Sequence, residues 1–499
     1  MNLSKSKYCA YIECPRRCWL DVYKKEEGVV DAQTQHHLDE GNRLGDLAMG
    51  YFGDFVEVTT KKEEDGSLDY AEMIRKTEEC LKAGTKNICE ASFGYGNLFC
   101  SVDILHKEND GYAIYEVKSS RTIKTINYHD VAFQKYVLQH CGINVTGVYI
   151  VHLREGYWRD GEIDLQQLFI AEDVEEKIAK KFDEVATSSA AACALINSKA
   201  EPKLEFKSCC NGCRYWDYCT KGLLHPQSTL NLWGRFGKGA NPKWKCYNEG
   251  LTTFQGLKDN GVPLKDFQQI QVDSTLSGKL HIDKAAIRAF LTTMPLPLYF
   301  LDFETMQYGI PPFDRTYANQ QIPFQYSLHV VESIDKEPRH EGFLAESDGG
   351  DPRRAIAEWL CKHIPKDVCT VAYNMEFERG VLLDLAKVFP DLSEHLLSIR
   401  DNMVDLMVPF DRAYYYDPAM GGSYSIKHVL PAVCPDDPKL DYSKLNGVHN
   451  GSEAMTIFPK IKDMTPEDRE KARHQLLDYC GLDTYAMVRI WQELARVSK

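Results

Sequence analysis

The sequence predicts two α/β domains joined by a small helical module. Three observations predict this. At 499 residues the chain is too long for one ordinary core, so two or three domains are expected. In each half, short apolar runs at strand spacing alternate with stretches of helical spacing. Between the halves, residues 223–295 change character and carry Trp233-Gly-Arg-Phe-Gly-Lys-Gly-Ala-Asn-Pro-Lys-Trp-Lys245, rich in glycine, basic and aromatic residues.

The elements follow in order. Asp31–Phe52 has helical spacing. Asn87–Phe93, Asn97–His106 and Tyr112–Ser119 read as strands. The last two alternate at period 2 around the turn-forming stretch Lys107–Gly111, which makes a hairpin. Tyr128–Cys141 is helical, Val145–Leu153 is a further strand and Asp173–Ala192 a further helix. Helix, three strands, helix and strand give an α/β sandwich on a mixed sheet, bounded at 1–222. In 223–295 two short helices are expected, around Leu257 and Ala285–Leu291. From 296 to 499 a second α/β domain begins at the strand Leu298–Phe303. Strands near Gln325–Glu332 and Thr370–Tyr373 follow, with helices at Pro352–His363, Glu376–Lys387 and Pro466–Val497. There is no internal repeat.

Hydrophobic residues make up 43% of the chain, enough for a core in each domain. The net charge of −14 argues against a protein that coats nucleic acid everywhere, though not against a local basic channel. Residues 1–18 do not read as a signal peptide, and no run of about 18 apolar residues predicts a membrane span. Seventeen cysteines is an odd count, and most are isolated: Cys80, Cys89, Cys141, Cys193, Cys361, Cys369, Cys434 and Cys480. They read as small buried hydrophobes of a cytoplasmic protein rather than a disulfide scaffold.

The hairpin carries the first candidate site. Glu116 and Lys118 are two apart on a strand and share a face. Asp103 ends the preceding strand, so two carboxylates and an ammonium meet in one small volume. Such a pair suits Mg²⁺ or Mn²⁺, and the lysine suits a water or a phosphate. Glu90 is a further candidate ligand, and Gln134 on the next helix a candidate partner for phosphate or carboxylate. Alone, Glu-x-Lys is more often a solvated strand face.

Cysteines bracket this site. Cys210, Cys213 and Cys219 form Cys-x2-Cys-x5-Cys, and Cys14 stands about two hundred residues earlier. The triplet alone is equally compatible with zinc. Cys9, Cys18 and Cys209 are rival ligands.

Taken together, Cys14-Pro-Arg-Arg17, Asp103, Glu116-Val-Lys118, Gln134-Lys-Tyr136 and the triplet resemble the RecB-like branch of the PD-(D/E)xK nucleases. The likeness covers about residues 8–222 and is greatest to CRISPR-associated RecB-type exonucleases and AddB-type iron–sulfur nucleases. It implies a restriction-endonuclease-like fold. It also implies a metal held by Asp103 and Glu116, Lys118 and Gln134 in the active site, and a 4Fe-4S cluster on Cys14, Cys210, Cys213 and Cys219 with a structural task. Those nucleases often carry Gly-x-x-x-His on the first helix, whereas this chain reads Gly41-Asn-Arg-Leu-Gly45. Three alternatives stand: His36 or His37 substitutes, the site works without the histidine, or activity is weak.

The second candidate site runs from 300 to 483. Asp302 and Glu304 share a face of an apolar strand. Tyr479 and Asp483 are neighbours at i and i+4 on a helix. Glu378 opens a helix after Asn374, and Asp405 is a further acid. Converging carboxylates suit two divalent metals about 4 Å apart. Across about 296–497 this set resembles the DnaQ-like DEDD exonucleases of ribonuclease H fold, in the subtype with a tyrosine in the third motif. The resemblance implies metal-binding acids at Asp302, Glu304 and Asp483, and a water-orienting Tyr479. Glu378 falls where that family has aspartate, a departure that Asp405 is placed to offset. The whole layout is similar to a bacterial family of uncharacterised two-domain proteins.

Arg16, Arg17, Arg121, Lys124 and Arg214 lie near the first site in sequence. Trp233, Arg235, Phe236, Lys238, Lys243, Trp244 and Lys245 interleave cations with rings, a pattern that suits single strands. The plainer reading is a linker whose tryptophans tuck into neighbouring cores. The sequence therefore predicts a cytoplasmic metal-dependent nuclease acting on DNA, with single-stranded ends and 3′-to-5′ polarity favoured. The rivals are an RNA-processing exonuclease and a nucleic-acid binding or assembly module with degenerate sites.

Overall fold

The structure is a computed structural model and describes residues 2–234, 242–440, 444–445 and 447–499. It is a mixed α/β protein. The chain divides into two compact units, residues 1–219 with Tyr308–Gln320, and residues 220–307 with 321–499. Among the described residues no helix is long and apolar enough to cross a membrane.

The first unit is built on a seven-stranded sheet: β1 (Leu3–Ser4), β2 (Val56–Glu57), β3 (Asn87–Tyr95), β4 (Leu98–Glu108), β5 (Gly111–Lys118), β6 (Val145–Leu153) and β7 (Phe169–Asp173). Strands β2 to β7 lie in sequence order, and β1 pairs in parallel with the start of β4. The period-2 pattern of β5 sorts its side chains onto two cores rather than onto core and solvent. Tyr112 and Ile114 join Phe133, Val137, Val148 and Val185 on one face, under the helices α5 (Thr125–His140) and Glu175–Asn197. Ala113 and Tyr115 join Leu44, Ala48, Val151 and Phe169 on the other, where Ile310 and Ala318 also pack. Glu116 and Lys118 continue the Ile114 face and so point at α5. Short helices α1 (Lys5–Glu13) and α2 (Pro15–Tyr23) open the chain, followed by α3 (Ala32–Ala48) and α4 (Tyr70–Lys82). Asp31 caps α3, its carboxylate accepting from the Thr34 amide at 2.7 Å.

The second unit is centred on β9 (Leu298–Met306). Its neighbours are β10 (Ile322–Val331), then β11 (Arg339–Leu344), on one side, and β12 (Cys369–Ala372), then β13 (Met403–Asp405), on the other. Pairings β9–β10 and β10–β11 are antiparallel, β9–β12 and β12–β13 parallel. β9 is buried on both faces. Tyr299, Leu301 and Phe303 pack on the helices Arg353–His363, Glu376–Val388 and Ser393–Asp401. Leu298 and Phe300 pack on the C-terminal helix Pro466–Ser498 through Met487, Ile490, Trp491 and Leu494. Asp302 and Glu304 have the parity of Phe300, so they face that helix too.

The module expected over 223–295 belongs to this unit. Among the described residues it holds four α-helices, Lys243–Asn248, Phe254–Asp259, Asp266–Ser277 and Lys284–Leu291, where two were expected. A short β8 (His281–Ile282) pairs with β14 (Tyr415–Tyr416). Trp233 is buried against Phe267, Tyr416 and Tyr424, as the plainer reading had it for that residue, whereas Trp244 is half-buried. Arg235, Phe236 and Lys238 lie outside the described residues.

Candidate functional site

In the first unit the acids meet two lysines and a glutamine in one cluster. The β4–β5 ladder stops at Ile104 and Tyr115. Beyond it, β4 turns to pair with β1 at Leu98 and Phe99. Asp103 therefore lies inside β4, not at its end as expected, at the point where the strands part. Its Oδ2 accepts from the freed Val117 amide at 2.8 Å. Register places Glu90 opposite Asp103, in a left-handed backbone conformation (φ 56°) that breaks the β3–β4 ladder. Glu116 is 1% exposed. Lys118 Nζ donates to its Oε1 at 2.6 Å and to Asp130 Oδ2 at 2.8 Å. Gln134 Nε2 donates to Glu116 Oε2 at 2.8 Å and to Asp130 Oδ1 at 2.9 Å. A second ammonium, that of Lys5, lies 3.2 Å from Asp103 Oδ1 and 3.0 Å from each Glu116 oxygen.

Burial, then the charges of Asp103 and Asp130, pushes the Glu116 carboxyl up to about 7 against the pull of the two lysines. Burial and Asp103 push Glu90 to about 7 as well. Burial would raise Asp130 too, but Lys118 and Lys5 outweigh it and hold that carboxyl well below the usual range. Burial works against the Lys118 ammonium, but Glu116 and Asp130 keep it firmly charged. Lys5 and Asp130 were absent from the sequence reading. Asp130 was accessible to it, since it precedes Gln134 by one helical turn on α5. Lys5 carries no local signal.

The second unit brings together Asp302, Glu304, Glu378, Tyr479 and Asp483. Carboxylate oxygens of Asp302 and Glu304 and the thiol of Cys480 lie within 4.8 Å of one another. Burial, followed by Asp483 and its neighbours, holds Asp302 and Glu304 well above the usual carboxylate range. Among nearby cations, Lys427 acts on Glu304 in the opposite sense. Glu378 is 3% exposed, burial pushes it to about 8, and its Oε2 has no hydrogen-bond partner. Tyr479 hydrogen-bonds Asp483, and burial raises its phenol far above the usual value. Gly451 opens a helix so close to the acids that a Cβ there would fall 3.3 Å from Glu304 Oε2.

Two expectations change here. Asp405 stands beside the acids, but its Oδ1 accepts from the amides of Asn374 and Met407, both at 2.9 Å. It braces the turn in which Asn374 is left-handed (φ 67°), and its charge adds to that on Glu378. Cys480 is buried as expected but is more than a small hydrophobe. Its thiol lies 3.8 Å from Asp302 Oδ2 and, by burial and then the Asp302 charge, stays protonated, a donor to the acid rather than a thiolate. Among the other isolated cysteines, Cys141 is exposed.

The clasp cysteines converge. Cys14, Cys210, Cys213 and Cys219 line one cavity of about 20 Å³, walled by Leu20, Phe206, Tyr215 and Trp216. Cys14 Sγ accepts from the Arg17 amide, and Cys210 Sγ from the Lys207 amide, each at 3.4 Å. Four sulfurs round an apolar void, with amides aimed at two of them, fit a thiolate-held metal group. The rivals do not line the cavity: Cys18 is in the sheet core, Cys9 packs on that core, and Cys209, beside Cys210, donates to Glu13 O at 3.5 Å.

His36 packs near Tyr308, with ring centroids 6.5 Å apart, and His37 is exposed. The charges that act most on Glu116 come from Asp103, Asp130, Lys118 and Lys5. A Cβ at Gly45 would meet nothing within 4 Å. The arginines expected near the first site are engaged in the protein itself. Arg16 donates to Pro202 O, Arg17 to Glu13, Arg121 to Ala318 O and Arg214 to Asp21.

Residues 299–425 match a family described as a domain of unknown function (DUF2779). That stretch holds Asp302, Glu304, Glu378 and Asp405, and ends before Tyr479 and Asp483. The chain is also similar to the uncharacterised protein UU173 of Ureaplasma parvum serovar 3, with 27% identity over 236 residues. The match covers 43% of this chain and 33% of that protein's length. No solved structure matches.

Proposed function

We propose that the protein is a metal-dependent nuclease whose working centre is the acid cluster of the second unit, acting on single-stranded DNA ends. The observation that carries this reading is the cost of the cluster. Asp302, Glu304 and Glu378 sit together with the charge of Asp483, and burial plus mutual repulsion opposes their ionisation. Such an arrangement is destabilising unless a cation binds it, and Glu378 Oε2 lacks any partner of its own. The donors are carboxylate oxygens, which suit Mg²⁺ or Mn²⁺. A bound divalent pair would stabilise the attacking and leaving oxygens of phosphodiester cleavage.

The chain's own residues then have distinct tasks. Asp302 and Glu304, fixed on the central strand, hold the cluster's position. Asp483 reaches them from the C-terminal helix, and Tyr479 beside it orients a water. Lys427, whose charge acts on Glu304, would be a cation for a phosphate. A mixed five-stranded sheet with the acids on its central strand supports the ribonuclease H-like reading. The splayed β4–β5 pair with Asp103, Glu116 and Lys118 supports the PD-(D/E)xK reading of the first unit. The four-sulfur cavity supports an iron–sulfur cluster, with zinc as the rival. RNA stays open beside DNA.

The deciding experiment is degradation of 3′- and 5′-labelled single- and double-stranded DNA and RNA with Mg²⁺ or Mn²⁺, for wild type, Asp302→Asn and Glu116→Gln. Loss of activity in Asp302→Asn supports the reading; activity equal to wild type refutes it. A second reading, that the first unit is a silent module that only holds nucleic acid, is favoured by the Lys5 ammonium among its acids. It predicts that Glu116→Gln leaves cleavage unchanged.

A further inference from the structure

The backbone that carries Lys5 is anchored beside the acid cluster. Ser4 pairs with Phe99 of β4, and the Leu3 amide donates to Asn97 O at 2.8 Å. The Ser4 hydroxyl caps α1 by accepting from the Lys7 amide at 3.3 Å. Lys5 is thus the first residue of a helix anchored to the strand that bears Asp103. A cation at a helix N-terminus is unfavourable against the macrodipole. The acids outweigh that, and the side chain is only 21% exposed.

The ammonium has three hydrogens and meets three carboxylate oxygens: Asp103 Oδ1 and both oxygens of Glu116. The remaining acceptor positions of Glu116 are also taken. Lys118 fills the second position on Glu116 Oε1, Gln134 the second on Oε2, and the Val117 amide takes one position on Asp103 Oδ2. Glu116 therefore accepts four hydrogen bonds, its full capacity. A Mg²⁺ ion binds carboxylate oxygens at about 2.1 Å. An ion on the same three oxygens would fall where the ammonium stands. One buried acceptor in the cluster, Gln134 Oε1, has no donor, although Gln134 is fully buried.

We propose that Lys5 is a built-in cation that occupies the metal position of the first unit, so that a divalent ion enters only when Lys5 withdraws. The inference rests on reading Asp103 and Glu116 as metal ligands. It makes Lys5 a positioning residue that sets the metal affinity of this site: the exchange swaps one ammonium for one divalent ion and breaks three hydrogen bonds. In the resting protein the first unit is closed to metal.

The test is Mn²⁺ binding, read from the free-ion resonance signal, on the full chain carrying Asp302→Asn and Glu304→Gln to weaken the second centre. In that background Lys5, Lys5→Met, Lys5→Arg and Lys5→Met/Glu116→Gln are compared. Lys5→Met is expected to bind one Mn²⁺ at least about tenfold more tightly than its parent, a gain of about 1.4 kcal/mol. Lys5→Arg is expected to bind no better than its parent, and adding Glu116→Gln is expected to erase the gain. Lys5→Met leaves buried acids unpaired, so melting with and without Mn²⁺ is followed in parallel. A larger Mn²⁺-induced rise in Tm for Lys5→Met than for its parent supports the inference even where the ion-free variant is poorly folded. Equal, tight binding with and without Lys5 overturns it and leaves the metal-ligand reading standing. No binding by either protein, and no Tm response, overturns both.

Discussion

Glu378 carries a buried oxygen with no partner, and this single residue separates cost from function. Its carboxyl is pushed to about 8, against an ordinary value of 4.5. A carboxyl raised in the folded state holds its proton longer than in the unfolded chain, so its contribution to stability falls as pH rises from about 4.5 towards about 8. Glu378→Gln removes that penalty. In EDTA at pH 8 the variant is expected to melt higher than wild type, and at pH 5 the two are expected to converge. The same variant is expected to lose Mg²⁺ protection. A Tm at pH 8 at or below that of wild type argues against an uncompensated acid. For chemistry, Asp302→Asn is expected to slow single-strand degradation by a factor of about a thousand, the scale of losing a main electrostatic stabiliser. Tyr479→Phe is expected to cost less, since it orients water. Both are measured in a Glu116→Gln background rather than a Lys118 variant, because the Lys118 ammonium pairs two buried carboxylates, Glu116 and Asp130. Removing it would disturb packing as well as chemistry.

At the scale of elements, α1 links two features that sequence spacing keeps apart. Its first residue, Lys5, enters the acid cluster, and Cys14, which ends it, enters the sulfur cavity. Protein purified without air is therefore expected to be brown and to carry iron. Cys14→Ser is expected to lose the colour, while Cys209→Ser keeps it, because Cys209 points at Glu13 O. Iron content and visible absorption check both; colourless protein with stoichiometric zinc assigns the cavity to zinc. The strong elements were legible because their patterns are regular: β3 to β6, α3, α5, β9, β10, β12 and the C-terminal helix all lie close to expectation. Short pairing strands were not. β1 and β2 are two residues each, too short for any period, and β11 is mostly polar and partly exposed.

At the scale of the whole molecule, the raised carboxyls set a pH dependence. Glu90 and Glu116 rise to about 7 and Glu378 to about 8, each above an ordinary value of 4.5. All three shift in the same direction, so the metal-free chain is expected to lose stability steadily between about pH 5 and pH 8. Mg²⁺ or Mn²⁺ is expected to flatten the loss. Melting profiles from pH 5 to pH 8, with EDTA and with excess metal, check this. A metal-free profile that rises with pH would contradict the carboxyl clusters as the dominant titrating groups. Composition alone does not predict this. A net charge of −14 fixes how many acids there are, but not that several are buried together.

The sequence by itself determined the mixed α/β class, the strand and helix cores, and the alignment of acids on single faces. Those properties are local: period 2 places Glu116 with Lys118 and Asp302 with Glu304 whatever else the chain does. The tertiary structure decided which groups complete each cluster. Lys5 reaches Glu116 from 111 positions away, and Cys480 reaches Asp302 from 178. It also decided that Asp405 braces a turn, that Trp233 is core, and that Tyr308–Gln320 packs with the first unit. No periodicity encodes such contacts, because they depend on where strands part and which helix covers which face. The physical reason is that a buried charge is satisfied by whatever partner the fold brings within about 3 Å, and chain distance does not enter that requirement.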